Sequence, residues 1–321
     1  MSFSGKVREE LSNHIPEARH CQIAELSAIF GFCGRVIYTE KGKIYTKIHT
    51  ENIFVARKYF TLLKKSFNIN SDVSVRRNIF LKKSRLYTVA VADDTLSRKI
   101  LLAARLMTPD GEIEENCSLK DNLVIQSTCC RRAFLRGSFL AAGSMSDPEK
   151  TYHFEIACPS EDKAELLRAL MVSFDIDAKI IQRKKYFVVY IKDGAQIVDM
   201  LNVMEAHVSL MELENIRIEK EIRNSVNRQV NCDTANIRKT VSAAVKQVED
   251  INYIKNTVGF GNLSDGLREM ADLRLAYPEA TLQELGKMLS TPVGKSGVNH
   301  RLRKLSQIAN ELKSAAVEHS E

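Results

Sequence analysis

The sequence predicts an α+β fold in which two similar αββαββα units are followed by an all-helical C-terminal part. Three observations predict it: a segment repeats after 109 residues, strand-like alternation of apolar and polar residues occurs in both copies, and residues beyond about 208 show only helical periodicity. The chain has 321 residues, of which 44% are hydrophobic, and this is enough for two or three domains with cores of their own.

The repeat is clearest in two segments that end in glycine. AELSAIFGFCG (Ala24 to Gly34) aligns with AFLRGSFLAAG (Ala133 to Gly143) at an offset of 109 residues. The apolar strands Tyr87–Val91 and Phe187–Ile191 pair at an offset of 100, so the second copy has shorter turns, where surface loops tolerate deletions. We expect the two units, at about 18–106 and 128–205, to associate about a pseudo-twofold axis.

Apolar periodicity and turn residues place each element of the first unit. The predicted elements are 19–33, 35–40, 43–50, 52–67, 72–78, 85–92 and 94–106. Small residues in the leading helix of each unit, among them Ala28, Gly31 and Gly137, allow two backbones to approach closely, so we expect these helices to meet at the axis. Alternatively the glycines only end helices, as Gly34 and Gly143 would.

The sequence of the C-terminal part predicts helices separated by clear breaks. Residues 209–232 form a highly charged linker helix, and a second helix follows Cys232-Asp233-Thr234. Three more helices are predicted at 264–276, 281–289 and 295–313. A short helix, a tight turn and a longer helix are the spacing of a helix-turn-helix. The predicted domains are therefore 1–208, the linker 209–232, and 233–321.

The last predicted helix has an apolar face and a polar face. In steps of about 100° per residue, Val298, Leu302, Leu305 and Ala309 share one side. The rest of the helix offers hydrogen-bonding and basic side chains, and no acid lies between Glu284 and Glu311. This chemistry suits the major groove of DNA, although an ordinary solvated basic face would look similar. The candidate DNA-binding residues are Lys295, Ser296, Asn299, His300, Arg301, Arg303, Lys304 and Gln307.

Positive charge is concentrated in the first part of the chain. The formal net charge is +7, and residues 1–92 hold 16 Lys and Arg against 7 Asp and Glu. Such a surplus attracts polyanions. Basic residues flank the last hairpin of both units, where they would contact phosphates without reading sequence or would only keep turns soluble. These candidates are Arg76, Arg77, Lys82, Lys83 and Arg85 in the first unit and Arg183, Lys184 and Lys185 in the second.

The segments LSAIFGFCG (Leu26 to Gly34) and LRGSFLAAG (Leu135 to Gly143) resemble the LAGLIDADG motif of homing endonucleases. The resemblance implies a saddle in which two four-stranded sheets grip DNA, and in which the acidic eighth residue of each motif holds Mg²⁺. Here the eighth residues are Cys33 and Ala142, which cannot supply the carboxylate oxygens that Mg²⁺ prefers. We therefore predict no catalytic residue and no nuclease activity; an active endonuclease is the remote alternative.

A second resemblance covers nearly the whole chain. Residues 226–244 and 281–312, with the opening SFSGKVREEL, resemble the WhiA proteins of Gram-positive bacteria. The resemblance implies a degenerate LAGLIDADG-like domain joined to a DNA-binding helix-turn-helix, with a role in cell division and chromosome segregation, or in sporulation in some relatives. We expect a transcriptional regulator that binds double-stranded DNA, with RNA polymerase, a sigma factor or another regulator as further partners. Alternatively the saddle is a protein-interaction scaffold that binds no DNA.

Other patterns favour no additional chemistry. The seven cysteines and seven histidines lack metal-binding spacings, so we predict reduced thiols, no metal and no cofactor. Cys129-Cys130 is interpreted as a pair of small buried residues that would be redox-active only if exposed. The N-terminus lacks a secretory signal, and the longest apolar run is Tyr186 to Ile191, which is too short to cross a membrane. We expect a cytoplasmic, nucleoid-associated protein.

Overall fold

The computed structural model describes residues 1–77, 85–113 and 123–318. The chain divides into two compact units, Met1–Lys220 and Glu221–Glu321. The first unit mixes helices and strands and the second is helical, which confirms the predicted fold class.

The first unit contains both predicted repeats. A short helix, α1 (Phe3–Asn13), precedes them. The first repeat comprises α2 (Arg19–Cys33), β1 (Gly34–Tyr38), β2 (Ile44–Thr50), α3 (Ile53–Phe67), β3 (Asp72–Arg77), β4 (Arg85–Val91) and α4 (Asp94–Ala103). The second comprises α5 (Thr128–Ala142), β5 (Gly143–Met145), β6 (Phe154–Cys158), α6 (Glu161–Val172), β7 (Lys179–Arg183), β8 (Tyr186–Ile191) and α7 (Gly194–Val203).

Each repeat forms one antiparallel four-stranded sheet. The strand orders are β1-β2-β4-β3 and β5-β6-β8-β7, so the two sheets have the same topology. Their registers also correspond, because Gly34 pairs with Ile48 in the first sheet and Gly143 pairs with Ile156 in the second. Position 47 on β2 is therefore equivalent to position 155 on β6.

The leading helices α2 and α5 pack along each other, as predicted, and most of their apolar residues are buried. Close approach depends on Gly137, because a Cβ there would lie 2.6 Å from the backbone oxygen of Glu25. The helices end at Gly34 and Gly143 with extended backbone. Glycine is required at both positions because a Cβ would clash with Phe30 or Phe139 of the preceding turn. Neither glycine has a left-handed backbone conformation.

A buried ionic cluster ties α2, α3 and α5 together. The carboxylate of Glu25 accepts from Lys58 Nζ at 2.9 Å and from Arg136 Nε at 3.0 Å. Glu25 and Lys58 are fully buried and Arg136 is 1% exposed. Burial lowers the pKa of Lys58, while the neighbouring Glu25 opposes that shift. The ammonium also donates to the carbonyl oxygen of Leu11 at 3.0 Å, so the carbonyl end of α1 joins the cluster.

The second unit contains the helix-turn-helix. Its helices are the later part of α8 (His207–Thr257), α9 (Asp265–Ala276), α10 (Leu282–Met288) and α11 (Lys295–Glu318). The predicted break at Cys232-Asp233-Thr234 is wrong, since α8 continues through it. No proline or glycine lies within α8, and Gly259, just after its end, has a positive φ of 68°. The domain boundaries at 208 and 232 remain predictions.

None of the helices in the described parts of the chain combines the length with the apolar composition that a bilayer crossing needs.

Candidate nucleic-acid interface

The turn between α10 and α11 is held by specific contacts. Val293 N donates to the carbonyl oxygen of Gly286 at 3.1 Å, and a Cβ on Gly286 would clash with the Val293 oxygen. The carboxylate of Glu269, on α9, accepts from the backbone and hydroxyl of Ser290. At the start of α10, Thr281 and Glu284 form a capping box. The turn therefore fixes the angle at which α11 leaves the core.

The apolar face of α11 is the one predicted from the sequence. Val298, Leu305 and Ala309 are fully buried and Leu302 is 1% exposed, in a core shared with α9, α10 and the end of α8. The polar residues consequently lie on the outer side of the helix. Six of the eight predicted DNA-binding residues are exposed, and Asn299 and Arg301 are half-buried.

The eight candidates do not form one uniform surface. Lys295 and Asn299 line a cleft of about 850 Å³ with Val241 and Val245 of α8. On the other flank, the guanidinium of Arg301 lies against Gly266 of α9.

The most outward positions of α11 lie between these flanks. They are Ser296, His300, Arg303 and Gln307, at about 140–200° from Val298. The side chain of Gln307 already donates to Glu311 at 2.9 Å. Ser296, His300 and Arg303 are therefore the side chains best placed to meet another molecule, with Lys304 beside them.

The first sheet brings together basic residues that were not predicted from the sequence. Register pairs place Arg35, Lys47 and His49 on the face opposite the helices, together with Arg76, a predicted phosphate contact. Burial lowers the pKa of His49, and Lys47, Arg35 and Arg76 lower it further. The alternation in IYTKIHT, the sequence of β2, carried this signal, because its two basic residues, Lys47 and His49, are two positions apart and so point to the same face.

The remaining predicted phosphate contacts in the first unit do not lie on this face of the sheet or lie outside the described residues. Arg77 and Arg85 are paired across β3 and β4 on the other face of the sheet. Lys82 and Lys83 lie outside the described residues.

The second sheet is less basic than the first. Arg183 Nη1 lies 3.3 Å from Glu155, so this predicted phosphate contact already has an acidic partner. Lys184 occupies the turn with φ of 55°, and the ammonium of Lys185 lies 5.5 Å from the centroid of the Tyr186 ring. The two halves of the predicted basic surface are therefore unequal.

The carboxyl ends of α2 and α5 meet where the motif residues lie. Cys33 Sγ is 4.0 Å from the carbonyl oxygen of Ala141, and burial raises the pKa of this thiol to about 11. Beside it, the ammonium of Lys163 donates to the carbonyl oxygen of Gly31 and lies 5.6 Å from the centroid of the Phe32 ring. A cation and a neutral thiol therefore occupy this end of the seam.

Three family models match the chain in sequence order. They describe the WhiA N-terminal LAGLIDADG-like domain (residues 19–107), the WhiA LAGLIDADG-like domain (residues 131–223) and the WhiA C-terminal HTH domain (residues 226–309). A "Probable cell division protein WhiA" of Lachnoclostridium phytofermentans is 54% identical over 315 residues, which are 98% of this chain and 100% of that protein. The chain belongs to the WhiA family.

Other WhiA proteins match over their whole length. The one from Alkaliphilus oremlandii is 48% identical, over 99% of each chain, and is also named "Probable cell division protein WhiA". The crystal structure of full-length WhiA from Thermatoga maritima has a TM-score of 0.58 and 27% identity, and covers 97% of this chain and 99% of its own. The predicted family and fold, a LAGLIDADG-like domain with a C-terminal helix-turn-helix, are confirmed.

Proposed function

We propose that the protein is a sequence-specific DNA-binding protein without enzymatic activity, a transcriptional regulator acting in cell division and chromosome segregation. The observation that carries the proposal is the outer face of α11, where Ser296, His300 and Arg303 are exposed and no acid lies between Glu284 and Glu311. The name "Probable cell division protein WhiA", carried by its relatives, supports the cellular role. A regulator of this kind would be found at the nucleoid.

The side chains of α11 would have different roles in DNA recognition. Arg303 has the donors for a guanine edge, and Ser296 and His300 provide adaptable hydrogen bonds to other bases. Lys304, at the edge of this face, suits a backbone phosphate. The half-buried Asn299 and Arg301 would support the position of α11 or make contacts at the margins of the groove.

The first sheet would add affinity without specificity. Arg35, Lys47, His49 and Arg76 share one face, and their charges would neutralise phosphates and release counterions. Arg183 would contribute less, because Glu155 already neutralises it. The saddle would thus hold DNA mainly through its first half.

We infer that the LAGLIDADG-like domain does not cleave DNA. Support comes from the two eighth motif positions, Cys33 and Ala142, which offer a neutral thiol and a methyl group where a hard cation needs carboxylates. We expect supercoiled plasmid to remain intact when incubated with the protein and Mg²⁺. Nicking that increases with protein concentration would contradict the inference.

A second candidate function applies to the second sheet. Its exposed residues include Ile181 (43% exposed) and Tyr186 (46%), and Arg183 is paired with Glu155, a composition that suits a protein partner better than a polyanion. We propose RNA polymerase, a sigma factor or another regulator as the kind of partner this sheet would contact.

A selection experiment tests the DNA-binding proposal directly. Full-length protein would select ligands from a pool of random duplexes, alongside Arg303→Ala and the control Lys255→Ala, which removes an exposed charge from α8. We expect the wild type and the control to enrich the same sequence and Arg303→Ala to lose preference at one or two positions, worth about 1–3 kcal/mol each. Identical enrichment by all three proteins would contradict the role of α11.

A further inference from the structure

Four side chains that the proposed function does not use lie together where α2 and α5 begin. His20, Cys21, Cys129 and Cys130 place one ligand atom each within 4.8 Å of all the others. His20 Nδ1 is 3.1 Å from Cys130 Sγ and 3.4 Å from Cys21 Sγ. This Cys₃His cluster is at the opposite end of the helices from Cys33.

The symmetry of the repeats assembles the Cys₃His cluster. His20 and Cys129 are equivalent positions at the repeat offset of 109 residues, and so are Cys21 and Cys130. Each leading helix therefore supplies two adjacent residues from its first turn. Because Cys21 and Cys129 are 108 residues apart in sequence, no C-x-x-C spacing marks the site, and the sequence alone predicts no metal there.

The geometry is close to that of a tetrahedral metal site. With bonds of about 2.3 Å to sulfur and about 2.0–2.1 Å to nitrogen, the ligand atoms of a zinc site lie about 3.5–3.8 Å apart. The Cys₃His atoms, all within 4.8 Å of one another, reach that spacing through small side-chain rotations. Three thiolates and an imidazole are also a ligand set that structural zinc sites use.

Burial and charge suit a structural ion. Cys21 and Cys130 are buried, whereas His20 and Cys129 are exposed, so an ion can enter from solvent and be bound partly inside the protein. Three thiolates, a neutral imidazole and Zn²⁺ sum to one negative charge. Arg19, Arg131 and Arg132 adjoin the cluster in sequence and place positive charge on the same first turns of α2 and α5.

We propose that His20, Cys21, Cys129 and Cys130 bind one Zn²⁺ and thereby cross-link the two repeats at the amino-terminal ends of their leading helices. Four protein ligands close the coordination sphere, so the site is structural and not catalytic. The site does not depend on the DNA-binding role of α11.

A cobalt titration tests the proposal. Full-length protein would be stripped of metal under reducing conditions and titrated with Co²⁺, whose thiolate charge-transfer and visible bands report tetrahedral sulfur coordination. We expect the bands to saturate at one Co²⁺ per chain and to disappear on addition of Zn²⁺. Metal analysis of the zinc-loaded protein should give one ion per chain.

Two variants assign the ligands. Cys129→Ser changes an exposed residue, so folding should be retained, and it should weaken cobalt binding more than about tenfold. Cys232→Ser, which removes an exposed thiol from α8, should bind like the wild type. Wild-type protein without the cobalt bands, or equal binding by Cys129→Ser and wild type, would overturn the proposal. So would a stable disulfide within the cluster, detected as a mass loss of two hydrogens in protein that binds no cobalt.

Discussion

At the scale of single residues, Glu25 is the residue with the largest expected effect on stability. It lies in a fully buried position between Lys58 and Arg136, and it is the only acid in contact with both among the described residues. Removing the Glu25 charge leaves the buried Lys58 without an acidic partner among the described residues, while Arg136 keeps Glu205. Glu25 thus stabilises the seam between the repeats by making two buried cations tolerable.

We expect Glu25→Gln to lower the free energy of unfolding of the first unit by about 3–5 kcal/mol. The matched control is Glu165→Gln, which removes an exposed partner of Arg168 at 2.6 Å and should cost at most about 1 kcal/mol. Urea unfolding followed by circular dichroism would measure both. Equal, small losses would show that the buried cluster contributes no more than a surface ion pair.

The sequence could not predict this residue-scale chemistry. Glu25, Lys58 and Arg136 lie far apart along the chain, and each resembles a charged residue on the surface of a helix. Only the packing of α2, α3 and α5 brings them together. The same is true of the Cys₃His cluster.

At the scale of elements, the two leading helices differ in how they use glycine. Gly137 lies against the backbone of α2. A Cβ added to Gly137 would lie 2.6 Å from the backbone oxygen of Glu25. Gly31 has only the flexible end of Lys163 nearby, at 3.7 Å. Both occupy helices, where alanine is intrinsically preferred over glycine by about 1 kcal/mol.

The same substitution should therefore have opposite effects at the two sites. Gly137→Ala forces the helices apart and should destabilise the first unit by about 1–3 kcal/mol. Gly31→Ala should be neutral or stabilising, by up to about 1 kcal/mol. Thermal unfolding of both variants, compared with the wild type, provides the measurement. If both substitutions destabilised the protein to the same extent, the close approach of the two helices would not be the reason for glycine at position 137.

Element boundaries were largely predictable because local rules determine them. Amphipathic periodicity and turn residues gave the strands and helices of the first repeat within a few residues, and the apolar face of α11 in full. The break in α8 was wrong because Asp233 and Thr234, which favour caps, are tolerated inside a helix whose residues 221–243 are all exposed. No packing contact there opposes a continuous helix.

At the scale of the whole molecule, duplication made two sheets with equal topology and unequal charge. Lys47 in the first sheet and Glu155 in the second occupy equivalent positions, so the charge is reversed there. Arg35 is likewise equivalent to Ser144. The basic hairpins recognised in the sequence suggested a shared surface, but charge on a sheet face depends on register, which the sequence did not reveal.

The salt dependence of DNA binding should reflect this asymmetry. Each lost phosphate contact lowers the slope of log K against log salt by about 0.9. Lys47→Ala with Arg76→Ala should therefore reduce the slope by about two without altering sequence preference. The control is Lys65→Ala, an exposed charge on α3, which covers the other face of the sheet. An unchanged slope in the double variant would limit the first unit to protein contacts.

We propose that the outer face of α11 determines where the protein binds DNA. Genome-wide occupancy of the full-length protein and of Arg303→Ala in cells tests it most directly. We predict sharp peaks at promoters for the wild type, and for Arg303→Ala their loss at equal protein abundance. Broad coverage by the wild type, or the same sharp peaks in both strains, would contradict the claim.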